Sequence, residues 1–398
     1  MDGVETMEHH AARRAVLELV DTNPVVDLSL RDALGHALAH DVVTQVDQPP
    51  FDNSAMDGYA VRAADVAEVP VELDVVATSS AGHPSEVRLG PGQAARILTG
   101  AVMVEGADSV VPVEHTDRGT DRVRVLQPAQ RGAHVRRAGE GCRRGDVVLR
   151  AGTLLHPGHL GVAAGAGAER LSVMRTPRVA LLSTGDELVP AGATPGPGQL
   201  HESNSVVLEA LLRRIGAEVS VEHAADDAEL LRATLARLAA DHDVVLSTGG
   251  VSMGAEFDAV RVAVADAGVR VVALDIRPAK PLAFGRLGDA LFVGLPGNPV
   301  SAVVSFELFV RPALRRLAGI EPALPPMTHG TAGERLAHPG GPATHYVRVR
   351  HDGTGWVRTG HGGSHLLAGI AEADALAVLT PGDDLAPGDD VTLVTLWS

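Results

Sequence analysis

Among 398 residues, 34 basic against 50 acidic side chains leave a formal charge of −16. Phosphodiester backbones and anionic lipid repel such a chain, and six Phe, two Trp and two Tyr offer little to stack bases on. Nucleic acid and membrane surfaces are therefore excluded as leading partners. Hydrophobic residues at 45% suffice for the cores of two to four domains, at roughly 100–200 residues each. No apolar run approaches the ~18 residues of a membrane span, and the acidic, polar Met1–His10 is unlike a secretory leader. The single cysteine, Cys142, excludes an internal disulfide framework and a Cys-based zinc site, and it fits a reducing cytoplasm.

In chain order, residues 7–40 read as helical, with Ala and Leu spaced helically over 11–20 and 28–39 and a break at Asn23-Pro24. Residues 41–130 change to short Val-rich runs between Gly, Pro and Asp turns (71–76, 108–113, 122–126), a small β-rich module. Over 131–176 come further β-like pieces, with a turn at 143–146 and strand, turn, strand over 149–155. From Pro177 the period changes again. Strands are expected at 178–183, 243–247, 269–274 and 290–293, and helices at 206–215, 228–239, 257–267 and 299–318. Strands alternating with helices predict an α/β fold around a doubly wound, mostly parallel sheet. Pro322, Pro325 and Pro326 read as a linker, and strands near 346–349, 356–359, 375–379 and 391–396 predict a closing β domain.

In an open α/β sheet, ligands bind beyond the carboxyl ends of the strands. Three predicted strands end in polar, glycine-rich loops: Ser183-Thr-Gly-Asp186-Glu187, Ser247-Thr-Gly249-Gly250-Val-Ser252-Met-Gly254, and Gly294-Leu-Pro296-Gly297-Asn298-Pro299. Glycines let backbone N–H groups approach a ligand, and a helix start favours an anion. Together the loops point to a phosphate-bearing small molecule. No P-loop motif occurs, and Gly165-Ala-Gly167 lacks the last glycine of a dinucleotide fingerprint. Gly250–Gly254 matches the G-x-S-x-G pattern of serine hydrolases, but Ser252 lies five residues past Ser247 instead of at the strand end. Carboxylates cluster nearby as Asp186, Glu187, Asp226, Asp227, Glu256 and Asp258, able to hold Mg²⁺ against phosphate oxygens or, for Asp226-Asp227, to cap a helix. The chain's one lysine, Lys280, sits in the stiff loop Arg277-Pro-Ala-Lys280-Pro281, a preorganised anion site. His361-Gly-Gly-Ser-His365 reads as a glycine-rich turn that offers Ser364, not as a metal motif.

At these loops the sequence resembles the molybdopterin molybdenumtransferases, the MoeA and gephyrin E-domain family. The segments that carry the resemblance are Pro50-Phe-Asp-Asn-Ser-Ala-Met-Asp57-Gly-Tyr59-Ala, Arg96-Ile-Leu-Thr99-Gly-Ala101, Leu182–Leu188, Ser247–Gly254, Arg277–Pro281 and Gly294–Ser301, in the family's order over most of the chain. The resemblance implies a molybdopterin-binding α/β domain (177–320). It also implies an elongated dimerising domain (1–46 with 131–176), an inserted β-rich module (47–130) and a C-terminal β domain (325–398). It further implies a homodimer whose cleft is shared, and Mg²⁺-dependent cleavage of adenylylated molybdopterin with molybdate insertion, giving AMP and molybdenum cofactor. Asp57 and Thr99 would then reach in from the partner subunit, with Glu187, Asp227, Asp258 and Lys280 as the other catalytic groups. Asp227, Asp258 and Glu256 would serve the metal. Gly249, Gly250, Ser252, Pro296, Gly297 and Asn298 would cradle the pterin phosphate, and Arg277, Pro281, Arg348 and Ser364 would join Lys280 around molybdate. A molybdopterin adenylyltransferase and molybdoenzyme apoproteins would be its partner proteins. Three departures from the family pattern stand out: Gly141 stands where it has aspartate, Phe257 likewise, and Arg277-Pro-Ala279 stands where it has lysine and glycine. The two lost carboxylates leave open a catalytically weakened paralogue that carries the cofactor.

Overall fold

The runs Val179–Leu182, Val244–Leu246 and Leu291–Val293 are apolar at every position. A strand of that kind needs both faces covered, which the centre of a helix-flanked sheet provides. In the computed structural model, which describes residues 5–251, 258–324, 327–360 and 363–397, they lie in a seven-stranded sheet. Its order is Glu5–Met7, Arg270–Leu274, Pro281–Leu287, Ala290–Leu295, Val244–Thr248, Arg178–Thr184, Glu218–Ala224. The last four strands are mutually parallel, and so are the first two; Pro281–Leu287 runs antiparallel to both of its neighbours. Alternate side chains feed two cores, as a strand's two-residue period requires. Val179, Leu181 and Val293 pack with Leu208, Leu212, Phe306 and Phe309, while Ala180, Leu182 and Phe292 pack with Leu231 and Leu235.

The α/β elements follow the sequence expectations closely. Helices occupy Asn204–Arg214 and Ala228–Asp241, and one helical run spans Pro299–Leu317 with a π turn at Phe306–Val310. Inside that turn Arg311 bonds Glu307 through two nitrogens, at 2.5 and 2.8 Å, with both side chains buried. The helix expected over 257–267 is a short one, Ala259–Ala263, continued by a 3₁₀ turn at Ala265–Ala267; Phe257 lies outside the described residues. Three strands of the sheet carried no expectation: Glu5–Met7, Glu218–Ala224 and Pro281–Leu287. The middle one alternates Val with Glu, Ser and His, as suits a sheet edge.

Two readings of the N-terminal half are corrected. Residues 28–39 are not helical. Val25–Ser29 is a strand paired antiparallel with Arg170–Met174, and Ala33, Ala37 and Leu38 reach the core from the segment after it, Ala37 and Leu38 through single bridges to Leu154 and Val173. β-branched Val25 and Val26 after Pro24 favour extension, and the remote partner strand decides it. Conversely, Pro157–Gly165 is a helix, begun by Pro157 behind the His156 cap and hidden in the sequence by Gly158 and Gly161.

The remaining sheets flank this unit. Ser109–Pro112, Gly58–Val61, Gln93–Ile97, Val71–Ser79 and Arg122–Val125 form a five-stranded sheet. Toward the C-terminus, Thr344–His351, Ala375–Leu379, Asp390–Thr395 and Thr328–Thr331 form another. Ile276–Arg277, from the α/β part of the chain, joins that sheet beside Thr344 and His345.

Beneath the α/β sheet, Arg175 clamps Asp243 bidentately at 2.9 and 2.7 Å, and the Arg178 N–H adds a bond at 2.8 Å. Burial alone would raise the Asp243 carboxyl; the guanidinium and the N–H outweigh it and hold its pKa below the ordinary value. A carboxyl depressed in the folded state stabilises fully above its unfolded pKa, and loses that contribution as pH falls through the folded value. Asp243→Ala strands Arg175 in a half-buried place and is expected to cost about 3 kcal/mol. Chemical denaturation should show that gap at pH 7 and show it closing in acid.

Candidate active site

Each parallel strand of the sheet stops at the same edge, and there the glycine-rich loops meet. Gly249 (φ +91°) and Gly250 (φ +67°) are both left-handed. A Cβ on Gly249 would fall 2.7 Å from the Thr184 carbonyl oxygen, and one on Gly250 would fall 2.4 Å from Val260 Cγ2. A Cβ on Gly297 would touch Gly249 Cα at 3.6 Å, so the second and third loops are in contact. Asn204 pins them together: its buried Nδ2 donates to Thr248 Oγ1 at 2.8 Å and to the Gly297 carbonyl at 2.7 Å. Asn298 caps the helix that begins at Pro299 without spending its side chain on the helix. Thr184 Oγ1, Ser247 Oγ and Asn204 Oδ1 are buried here with no hydrogen-bond partner among the described residues. Buried polar atoms of this kind call for a partner, and a polar ligand would supply one.

The acidic residues lie along the same edge. The Asp226 N–H bonds Asp186 Oδ1 at 3.2 Å, bringing the loop after Thr184 against the loop after Ala224. Burial first, then the charges of Asp186 and Glu187, push the Asp226 carboxyl above its ordinary value. No cation offsets these three carboxylates among the ion pairs of the described residues, and that excess of negative charge fits a divalent cation. Asp227 is the N-cap of Ala228–Asp241, accepting from Glu229 N and Leu230 N at 2.9 Å each. Asp258, 6% exposed, caps Ala259–Ala263 and lies beside Gly250. Ser252 and Glu256 lie outside the described residues. Asp227→Asn is expected to keep the cap and the fold, whereas Asp227→Ala should lose about 1 kcal/mol. A loss of turnover in Asp227→Asn at unchanged Tm would separate a chemical role from capping.

The cations meet elsewhere. A cavity of about 220 Å³ is lined by Arg277, His345, Tyr346, Arg348, Arg358 and Ser364, among others. Thus Arg277, Arg348 and Ser364, far apart in sequence, share one wall. His345, Arg358 and Thr359 are additions that sequence reasoning missed, because they belong to the C-terminal sheet and lie in no motif. Burial lowers the Arg348 pKa, although a guanidinium stays charged at any neutral pH. Lys280 and Pro281 close the base of the Arg277 loop, where the Lys280 carbonyl accepts from Leu274 N at 2.7 Å, and neither lines the cavity. The cavity adjoins the cradle at the Pro299 helix, whose Val300 lines the cavity and donates its N–H to the Ser364 carbonyl at 3.1 Å. Ala279 takes φ +80°, the left-handed conformation for which glycine is the easier residue.

Asp57 and Thr99 pair with each other. Asp57 Oδ1 accepts from the Thr99 N–H and hydroxyl, both at 2.7 Å, and these two bonds hold the carboxyl below its ordinary pKa. Both side chains are exposed on the five-stranded module.

Two other clusters have their polar groups already engaged. A cavity of about 1070 Å³ opens at the opposite end of the strands, but its Arg175 and Arg178 are paired with Asp243 and its Arg286 with Asp21. Glu8, His9 and His10 bring potential metal-ligating atoms within 4.8 Å of one another, yet Glu8 is occupied as a helix cap and Arg13 lies 2.9 Å from His10 Nδ1.

A doubly wound sheet with a glycine cradle at its strand ends and an adjoining cationic cavity defines a multidomain α/β protein of the molybdopterin-binding class. Residues 180–316 match the family model described as the probable molybdopterin binding domain. Residues 7–167 match the MoeA N-terminal region (domain I and II), and 331–396 match the MoeA C-terminal region (domain IV). Molybdopterin molybdenumtransferase 2 of Mycobacterium tuberculosis is 39% identical over 377 residues, covering 92% of this chain and 93% of that protein. The molybdopterin molybdenumtransferase of Nostoc is 37% identical over 380 residues, covering 92% and 87%. A solved molybdopterin biosynthesis MoeA protein from Pyrococcus horikoshii superposes with a TM-score of 0.86 at 26% identity, over 98% of this chain and 100% of that one. The chain belongs to the molybdopterin molybdenumtransferase family of transferases. Among the described residues, no helix is long and apolar enough to cross a membrane.

Proposed function

We propose that this chain takes adenylylated molybdopterin and molybdate, cleaves the pyrophosphate link with Mg²⁺, and releases AMP and molybdenum cofactor in the cytoplasm. The observation that carries this reading is the shared edge of cradle and cavity: the backbone at Gly250, Gly297 and Asn298 adjoins, through Val300, a cavity holding Arg277, Arg348 and Ser364. The two guanidiniums match the charge of a tetrahedral dianion, and the Ser364 hydroxyl can donate to one of its oxygens. The left-handed glycines, lacking Cβ atoms, let the phosphates approach the backbone closely, and the helix start at Pro299 adds a favourable field. Asp186, Glu187 and Asp226 would hold Mg²⁺, with Asp227, Asp258 and Glu256 as further candidates. When bound, Mg²⁺ would neutralise phosphate oxygens and ease departure of AMP.

In the same reading, residues 1–46 with 131–176 form a dimerising domain, 47–130 an inserted module, 177–320 the pterin-binding domain and 325–398 a C-terminal domain. The exposed Asp57–Thr99 pair then completes the partner subunit's cleft in a homodimer. A molybdopterin adenylyltransferase supplies the substrate, and molybdoenzyme apoproteins receive the product.

The test is to mix the purified protein with adenylylated molybdopterin, Mg²⁺ and molybdate, following AMP release and reconstitution of a molybdenum apoenzyme. Molybdate-dependent release with reconstitution is expected. Tight binding without release would favour the carrier alternative, for which Gly141 is the specific observation. A Cβ at Gly141 would lie 3.0 Å from the Gln48 carbonyl oxygen, so the chain closes tightly where the family pattern has aspartate. Gly141→Asp is expected to cost about 1 kcal/mol of stability, read as a lowered Tm. It should raise turnover sharply only if the natural chain is the carrier.

A further inference from the structure

The chemistry above leaves one buried histidine unused. His9, 6% exposed, opens the helix His9–Glu18. Its ring Nδ1 lies 2.8 Å from Asp275 Oδ1, and its backbone N–H donates to the same oxygen at 2.7 Å. An ionised carboxylate only accepts, so the ring proton belongs on Nδ1. Burial raises the Asp275 carboxyl, and the two bonds from His9 more than reverse it, leaving the pKa below its ordinary value. On its other side the His9 ring meets Tyr346 edge to face, centroids 6.0 Å apart at 88°.

These two contacts belong to the two neighbouring segments that bring Arg277 and Arg348 to the cationic cavity. Asp275 opens the loop that carries Arg277, and Tyr346 shares the strand Thr344–His351 with Arg348 and itself lines the cavity. The main chain already joins these strands, Ile276–Arg277 pairing with Thr344–His345 and Thr344 N donating to the Asp275 carbonyl at 2.8 Å. A second tie through the Asp275 side chain fixes the angle of the loop as well as its distance.

We propose that His9 is a positioning residue for the oxyanion cavity: gripping Asp275 and packing on Tyr346, it sets the Arg277 loop against the Arg348 strand. The inference rests on reading the cavity as the oxyanion site. Two guanidiniums serve one small dianion only at the right separation, and a displacement of 1 Å is enough to cost a large part of such an interaction.

The experiment compares His9→Leu, His9→Asn and Asp275→Ala with the natural chain, in the presence of Mg²⁺. Calorimetry gives the affinity for molybdate and, separately, for adenylylated molybdopterin; turnover gives the two Michaelis constants; Tm reports the fold. His9→Leu should weaken molybdate about 10-fold in both Kd and KM, the scale of one charge-assisted bond. Affinity for the pterin nucleotide should stay within about two-fold, since the cradle does not touch His9. The Asn amide can donate from nearly the place of Nδ1, so His9→Asn should recover most of the loss. Asp275→Ala, which removes the acceptor but keeps His9 in its helix, should reproduce the molybdate defect even if His9→Leu folds poorly. Equal weakening of both substrates, a fall in Tm with no selective change, or no recovery in His9→Asn would overturn the proposal. Failure of the natural chain to bind molybdate would instead overturn the reading of the cavity itself.

Discussion

Gly249→Ala is expected to weaken binding of the pterin nucleotide by about 100-fold or more while leaving the protein folded. The φ of +91° is the first reason: a residue with a Cβ held there costs about 1–2 kcal/mol. The second is contact. The new methyl would lie 2.7 Å from the Thr184 carbonyl oxygen, which is held in the buried strand Arg178–Thr184, paired on both sides, and cannot move cheaply. The loop must therefore swing away from the strand ends, carrying its N–H groups out of the cradle and leaving Gly297. Gly192→Ala is the control. Gly192 also has a φ of +90°, but a methyl there would meet nothing within 4 Å, so it should show the backbone cost in Tm and no change in binding. Titration calorimetry with adenylylated molybdopterin measures both, and near-natural affinity in Gly249→Ala would remove the cradle from the function.

Arg348→Ala is expected to lower molybdate-dependent turnover about 10²–10³-fold, the loss seen when one preorganised donor to a charged group is removed. Half-buried, its guanidinium already spends one nitrogen on the Leu366 carbonyl at 3.2 Å and keeps the rest for the cavity. Removal leaves Arg277 to hold the dianion without the Arg348 guanidinium. Pterin nucleotide affinity should hardly change, because the cradle glycines are on the other side of the Pro299 helix start. Arg348→Lys restores the charge but not the planar fork, so partial recovery is expected. Equal loss of both substrates in Arg348→Ala would place Arg348 in the fold instead of the site.

Much of the site is legible in the sequence because its signals are local. A strand such as Val244–Thr248 announces itself by an unbroken apolar run, and the glycines that follow mark where backbone must come close to something else. For Asp227 the sequence leaves capping and chemistry both open; the structure shows the cap, with both bonds at 2.9 Å, and leaves the chemistry to the Asn variant. Asn204 carries no signal of its own. It stands in a His201–Ser205 stretch that matches no metal motif, and its role appears only when Thr248 and Gly297 are brought to either side of its amide. The lone lysine draws attention to its loop, yet Arg277 and not Lys280 lines the cavity.

The sequence by itself determined the alternation that builds the α/β sheet, the loops at its strand ends and the family motifs, because periodicity, turn chemistry and glycine content act within a few residues. Only the tertiary structure decided that residues 28–39 leave the helical state for turns beside Arg170–Met174. It alone placed Arg277 against Arg348 through the pairing of Ile276–Arg277 with Thr344–His345, and it alone tied His9 to Asp275. The physical reason is common to all three. Each depends on a contact between distant segments, whose free energy neither segment carries alone and whose closure entropy is met only by the whole fold.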